Sequence, residues 1–325
     1  MKAIVCTAYG SPDVLKLQEL ARPAPKDNEV LVKVHTAVVG PADCAFRKGD
    51  PFIVRLIYGL RKPRIATQGA EFAGQIVAVG SAVTQFKPGD RVCGLSPDSM
   101  GAHAEYLCIP EDKPIIHTPE GMSEEEAVGI IDGAATALTF LKAVAHLQPG
   151  QSVLINGASG SVGAYGVQIA KAFGAQVTGV CSTANVELVR SLGADHVIDY
   201  TQTDFTRTGQ TYDVIFDAVG KSTFGKCKRA LKPRGQYLTT VPTLSMASAV
   251  LRTALFGRRK AKFTTAGLKQ TKARLTELAD LFAAGKLRAV IDRRYPLDQV
   301  PEAHRYVDTG RKRGNVIITV APAAA

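Results

Sequence analysis

The chain has 325 residues, 46% of them hydrophobic and 21% charged, which is enough apolar material for two separate cores. No apolar run reaches the roughly 20 residues that a membrane-spanning helix needs, and the opening MKAIVCTAYGSPDVLKL lacks the apolar core of a secretory signal, so a soluble, cytoplasmic protein is expected. The six cysteines are scattered without a CxxC pair, which argues against a disulfide framework.

The first 120 residues read as short strands and loops. Val30 to Val39, Ala73 to Gly80 and Phe86 to Leu95 are apolar segments broken by Gly, Pro and a Pro-Gly-Asp turn, the pattern of a small β-barrel or strongly bent sheets. Ser123 to Leu147 is Ala-rich and predicts one long helix, capped by Ser123, favoured at its start by Glu124 to Glu126 and stopped by Pro149-Gly150. From Ser152 a strand–helix alternation sets in. Strands are expected at 152–156, 175–181, 196–200, 212–220 and 235–241, with helices at 161–174 and 185–193, which together make a doubly wound parallel sheet. After about Leu287 strand and loop return, ending in Arg313 to Val320. The expected division is therefore a discontinuous domain of residues 1–122 and 287–325 around an inserted domain of residues 123–286.

The charge is uneven. The formal net charge is +11, and from Ala218 to Thr276 there is no Asp or Glu, with Arg258, Arg259 and Lys260 consecutive. A solvated basic face is the plainest reading of this stretch, with nucleic acid or an anionic membrane as the alternatives. The mixed apolar and basic segment Leu251 to Phe263 suggests a cover over a cleft.

The sharpest motif is Leu154 to Gly163, LINGASGSVG, which follows an apolar strand and opens a helix. A helix N-terminus presents unpaired N–H groups and a partial positive charge, so Gly157, Ala158, Ser159, Gly160, Ser161, Val162 and Gly163 are expected to hold a dinucleotide pyrophosphate. Gly160 would admit the phosphates and Gly163 would let helix and strand pack closely. The next strand ends in Cys181-Ser182-Thr183-Ala184-Asn185 without an acid. A carboxylate there would hold an NAD ribose and repel a 2′-phosphate. Ser182, Thr183 and Asn185, with the Tyr200 hydroxyl and a positive charge from Arg313 or Lys312, instead suit NADPH.

Several of these segments together resemble the medium-chain dehydrogenase/reductase superfamily, and its zinc-free quinone oxidoreductase branch in particular. They are Gly69 to Gly74, Lys87 to Val92, Ala158 to Gly163, Leu192 to Asp195 and Asp217 to Gly220. The resemblance spans nearly the whole chain. It implies an α/β fold made of a Rossmann doubly wound parallel sheet plus a GroES-like β-barrel catalytic domain, with a cleft between the two and a homodimer. It places Thr136, Val219 and Val241 along the nicotinamide and its ribose, and Asp43 near the nicotinamide end. The zinc-ligand positions of zinc-dependent relatives fall on Gly40, Ala70 and a residue near Asp132. Two of these carry no donor, and one acid cannot hold a tetrahedral zinc ion; no zinc is expected.

Without a Lewis acid, conjugated acceptors are favoured, because quinones and α,β-unsaturated carbonyls delocalise the charge left by an added hydride. Hydride transfer from NADPH to such a small molecule is the expected reaction. The loop Asp43 to Pro51 has no Tyr. Asp43 and the nearby Tyr58 are therefore the candidate catalytic residues, each with a structural role as its alternative. Two other functions stay open. One is a reductase of enoyl thioesters, greeted by the basic stretch. The other is a low-turnover nucleotide-binding protein that binds RNA through that face, although no aromatic stacking motif supports it.

Overall fold

The structure, a computed structural model, describes residues 1–96, 100–241, 243–264 and 270–321. The chain divides into two compact units, one of Met1–Asp132, Thr271–Ala279 and Ala289–Ala325, the other of Gly133–Gln270 and Asp280–Arg288.

The first unit opens with β1 (Lys2–Cys6) paired antiparallel to β2 (Leu15–Glu19). Five strands follow: β3 (Glu29–Val38), β4 (Glu71–Val79), β5 (Arg91–Leu95), β6 (Tyr106–Pro110) and β7 (Ile115–His117). β3 is the spine. It pairs with β4 and β6, and Val30, Val32 and Val34 bury into a core shared with Ile4, Phe72, Ile76 and Ile109. Between β3 and β4 lie α1 (Pro41–Lys48) and α2 (Ile53–Tyr58). α3 (Glu124–Gly129) starts on the Ser123 cap, where Glu126 N–H donates to Ser123 Oγ at 3.3 Å and Ser123 N–H donates back to Glu126 Oε2 at 3.0 Å.

The single helix expected over Ser123 to Leu147 is broken. α4 (Asp132–Leu138) begins anew and runs into a π-helical turn at Thr139–Val144. The break has a single side-chain cause. The Asp132 N–H donates to the Glu71 carboxylate at 3.0 Å instead of to a carbonyl of the preceding turn, so a second helix starts there.

The second unit is a six-stranded parallel sheet. Its strands are β8 (Ser152–Asn156), β9 (Gln176–Cys181), β10 (His196–Asp199), β11 (Tyr212–Asp217), β12 (Leu231–Thr239) and β13 (Lys260–Lys262), in the order β10-β9-β8-β11-β12-β13. This is the doubly wound order, whose direction reverses between β8 and β11, where such folds place their ligands. Its helices are α5 (Ser161–Ala172), α6 (Val186–Ser191), α7 (Phe224–Cys227) and α8 (Leu244–Leu255). Residues Leu251 to Phe263 are thus the end of α8, a turn and the edge strand β13, of which Lys260–Lys262 pair with β12.

Beyond α9 (Lys272–Ala283) the chain completes the first unit with β14 (Ile291–Pro296), α10 (Val300–Asp308) and β15 (Asn315–Thr319). β15 lies between β14 and β3 in the main sheet of that unit. The unit boundary falls after Asp132, later than the expected residue 122, because α3 packs on β3, β4 and β15 and Asn315 Nδ2 donates to the Gly129 carbonyl at 2.7 Å. Leu275 and Leu278 of α9 are buried, and Thr271–Ala279 belongs to the first unit, a return that the sequence pattern did not suggest.

Candidate cofactor site

The turn between β8 and α5 carries three glycines, two of them required by packing. Gly157 has φ of 81°, and a Cβ there would lie 2.4 Å from Val219 Cγ1. A Cβ on Gly163 would lie 2.1 Å from the Gly157 carbonyl oxygen, so the helix meets the strand end at backbone distance. Gly160 is under no such constraint, since the nearest atom to a Cβ built on it is 3.5 Å away. Packing explains Gly157 and Gly163; Gly160 has room that the protein does not fill. Gly157 and Ala158 both donate their N–H to the Val180 carbonyl, at 3.1 and 2.9 Å, which fixes the turn against β9. Gly160 is the N-cap of α5 and brings no capping side chain, and Ser161, Val162 and Gly163 form a first turn without an acid. A 12-residue helix therefore points its positive end at this turn.

The tip after β9 is joined to that turn. Asn185 Nδ2 donates to Ser159 Oγ at 3.0 Å and to Ser182 Oγ at 3.3 Å, so one residue expected at the pyrophosphate turn and two expected at the 2′-phosphate tip converge. Thr183 points elsewhere. Its hydroxyl donates at 2.5 Å to Asp199, an acid at the end of β10 that lies outside the acid-free Cys181–Asn185 segment. Asp199 also accepts from Thr201 N–H, Thr201 Oγ1 and Gln202 Nε2. The Thr183 and Thr201 hydroxyls hold its carboxyl below the usual range, so it is an anion beside the tip. Tyr200 follows it, exposed, with its N–H on the Cys181 carbonyl.

On the other side of the switch point, Val219 and Val241 are exposed at the ends of β11 and β12, and a Cβ on Gly220 would strike Val241 Cγ2 at 2.5 Å. Gly157, Val219, Gly220 and Val241 thus form one close-packed ridge. Asp217 organises it. This fully buried carboxylate accepts from Asn156 Nδ2 at 3.0 Å, Tyr237 OH at 3.0 Å, Val219 N–H at 3.3 Å and Ser222 N–H at 2.8 Å. A buried carboxylate needs such donors, and here they clamp the loop that carries Val219. Sequence reasoning gave Asp217 no role; an acid closing an apolar strand ahead of Ala-Val-Gly was the available signal. Thr136 is the partly exposed residue of an otherwise buried stretch of α4, one turn beyond Gly133, where a Cβ would meet the Ser161 backbone at 3.2 Å.

Asp43, Tyr58 and Arg313 belong to the first unit. Asp43 is buried at the start of α1 and its Oδ2 accepts the Gly40 N–H at 2.7 Å; burial raises its pKa to about 6. The Tyr58 ring packs on Phe46 with centroids 4.5 Å apart. The Arg313 N–H donates to Asp292 Oδ2 at 2.9 Å. Lys312 Nζ donates to the Gly314 carbonyl at 2.6 Å, and burial lowers its pKa to about 8. Arg313 and Lys312 are therefore not gathered with Ser182 and Asn185 in one unit. Gly40 and Ala70 stand at the expected zinc-ligand positions. Beside them Glu71 caps Asp132, and burial together with the Asp132 charge raises the Glu71 pKa.

Comparison with known proteins agrees with this architecture. Residues 26–120 match the family described as alcohol dehydrogenase GroES-like domain, and residues 192–318 match zinc-binding dehydrogenase. The chain is 33% identical over 356 residues to the mouse protein named NAD(P)H oxidoreductase RTN4IP1, mitochondrial, covering 98% of this chain and 89% of that one. It is 33% identical over 334 residues to tomato 2-methylene-furan-3-one reductase, covering 99% and 80%. The solved quinone oxidoreductase of Coxiella burnetii superposes with a TM-score of 0.89 at 31% identity, covering 99% of each chain. With a doubly wound sheet, a GroES-like unit and relatives that match over nearly all of this chain, the chain belongs to the medium-chain dehydrogenase/reductase superfamily, in its quinone oxidoreductase-like branch.

Proposed function

We propose that this protein is a reductase that uses NADPH, without zinc, to reduce quinones and α,β-unsaturated carbonyls. The observation that carries the reading is the Ser159–Asn185–Ser182 hydrogen-bonded chain, which sets hydroxyls and an amide, and no carboxylate of the β9 tip, beside the turn at the head of α5. The names of the relatives point to the same chemistry, an NAD(P)H oxidoreductase and a reductase of an enone.

The residues present fit the dinucleotide. The unfilled space at Gly160 admits a phosphate, and the α5 N-terminus favours its charge. The Ser182 and Tyr200 hydroxyls offer donors to a 2′-phosphate, with Asn185 holding the Ser182 oxygen, while Asp199 has its carboxylate engaged by four hydrogen bonds. Val219 and Val241 supply an apolar ridge that keeps water from the reacting ring. When bound, the reduced nicotinamide supplies a hydride to an electrophilic carbon.

The zinc donor set does not fit. Gly40 and Ala70 have no ligand atom, and among the described residues no three His, Cys, Asp or Glu side chains gather to hold a metal. No step is assigned to zinc. Asp43 acts as a positioning residue that fixes the start of α1. The cysteines at positions 6, 44, 93, 108, 181 and 227 are all free, which suits a reducing compartment such as the cytoplasm.

The test is to follow consumption of the reduced cofactor with a panel of quinones, alkenals and enoyl thioesters, before and after dialysis against a chelator. Turnover of quinones or alkenals that survives chelation is expected. Turnover of thioesters alone, or activity lost with the chelator and restored by zinc, would overturn the reading.

A further inference from the structure

The Asp217 carboxylate is a larger device than its loop requires. It is fully buried at the end of β11, and donors converge on it from three directions. Asn156 Nδ2 and Tyr237 OH reach it from β8 and β12, each at 3.0 Å. The N–H groups of Val219, Lys221 and Ser222 in the following loop donate at 3.3, 3.4 and 2.8 Å. Burial, together with the Asp217 charge, pushes the Tyr237 phenol pKa up and keeps it a donor. Each of these partners is neutral and each gives a hydrogen to the Asp217 oxygens, so the site is built for the ionised carboxylate. A neutral amide or hydroxyl oxygen would hold loop N–H groups at a far lower cost of desolvation. The buried charge therefore calls for a positive charge that arises near it.

The order of the sheet places one there. On the NADPH reading the pyrophosphate sits at the α5 N-terminus after β8, and the adenosine runs toward Ser182 and Asn185 beyond β9. A dinucleotide crosses the switch point between β8 and β11, so its nicotinamide half lies over the ends of β11 and β12, where Val219 and Val241 are exposed. Asp217 holds that loop from behind. The nicotinamide ring is neutral when reduced. A hydride leaves it with two electrons, so the ring becomes a cation and the acceptor that gains the hydride carries the matching negative charge.

We propose that Asp217 is a positioning residue whose buried charge favours the oxidised, cationic ring over the reduced one and so promotes release of the hydride; this rests on the NADPH reading above. Asp217 acts across the Val219 loop without touching the ring, through a dry interior in which a fixed charge is felt at longer range than in water. The Lys221 side chain, four residues on, is exposed, and solvent screens it.

The experiment is titration of the full chain with NADPH and with NADP⁺, read as the ratio of the oxidised to the reduced dissociation constant. Asp217→Asn removes the charge and should raise that ratio about tenfold, which raises the potential of the bound couple by about 30 mV. Asp217→Ser is a second neutral variant with the same expected rise, for use where the asparagine chain does not fold. Tyr237→Phe deletes one donor and keeps the charge, so its ratio should stay within about twofold of the parent even where both affinities fall. An unchanged ratio in a folded neutral variant would overturn the proposal. So would an equal rise in Tyr237→Phe, which would assign the effect to loop geometry. Failure of the parent to bind either nucleotide is a different result: it would sink the NADPH reading, and the role of Asp217 with it.

Discussion

Asn185 Nδ2 stands 3.0 Å from Ser159 Oγ, so the tip after β9 and the turn after β8 are joined by one side-chain hydrogen bond. Asn185→Leu removes that donor while keeping a similar volume. NADPH should bind about tenfold more weakly, as expected for a lost hydrogen bond of about 1.4 kcal/mol, with kcat at saturating cofactor unchanged. Fluorescence titration and steady-state kinetics measure the two; a fall in kcat alone would place Asn185 outside the cofactor site.

Charge at the tip should set the choice of cofactor. Ser182→Asp puts a carboxylate where a 2′-phosphate would lie and should lower NADPH preference on the order of 100-fold, since nearby like charges cost a few kcal/mol. Asp199→Asn works in the opposite sense, relieving an anion beside Thr183 and raising kcat/KM for NADPH relative to NADH. Unchanged cofactor ratios in both variants would remove the tip from the recognition of the phosphate.

The glycines separate packing from binding. Gly163→Ala forces a Cβ to within 2.1 Å of the Gly157 carbonyl and should cost about 3 kcal/mol of stability, read as a lowered melting temperature. Gly160→Ala meets nothing closer than 3.5 Å and sits at an ordinary φ of −79°, so the fold should tolerate it within about 0.5 kcal/mol. Cofactor affinity should nevertheless fall with the Gly160 change, because the methyl group occupies space that the phosphates need.

Burial raises the Asp43 pKa from 3.8 to about 6, and this carries a pH signature. Between those values the folded state holds more protons than the unfolded chain, so this group's contribution to stability falls as pH rises from about 4 to about 6. Asp43→Asn keeps an oxygen acceptor for the Gly40 N–H and removes the titration. The variant should gain stability relative to the parent on going from pH 4 to pH 7, by a few kcal/mol at most. Parallel melting-temperature profiles across that range would show that Asp43 is not held in its neutral form.

Much of this was legible in the residues. The strand–turn–helix run Leu154 to Gly163 and the alternation after it announced the doubly wound sheet, because glycine spacing and apolar periodicity are local properties. What stayed hidden depends on distant partners. Glu71 lies 61 positions before Asp132, yet its carboxylate starts α4 and splits the long helix. Asp199 reaches Thr183 only because β10 lies beside β9, so an acid-free tip in sequence acquires an acidic neighbour in space. Asp217 looked like the end of a strand, and two of its donors, Asn156 and Tyr237, reach it only once β8, β11 and β12 are adjacent. The short strand β13 was missed because three residues give too little periodicity to register.

Calorimetric titration of the full chain with NADPH and with NADH bears most directly on the proposed site. NADPH is expected to bind at least roughly tenfold tighter than NADH, with the advantage lost in Ser182→Asp. Equal or tighter binding of NADH, or no heat of binding from either nucleotide, would contradict a site built from the α5 N-terminus and the Ser182–Asn185 tip.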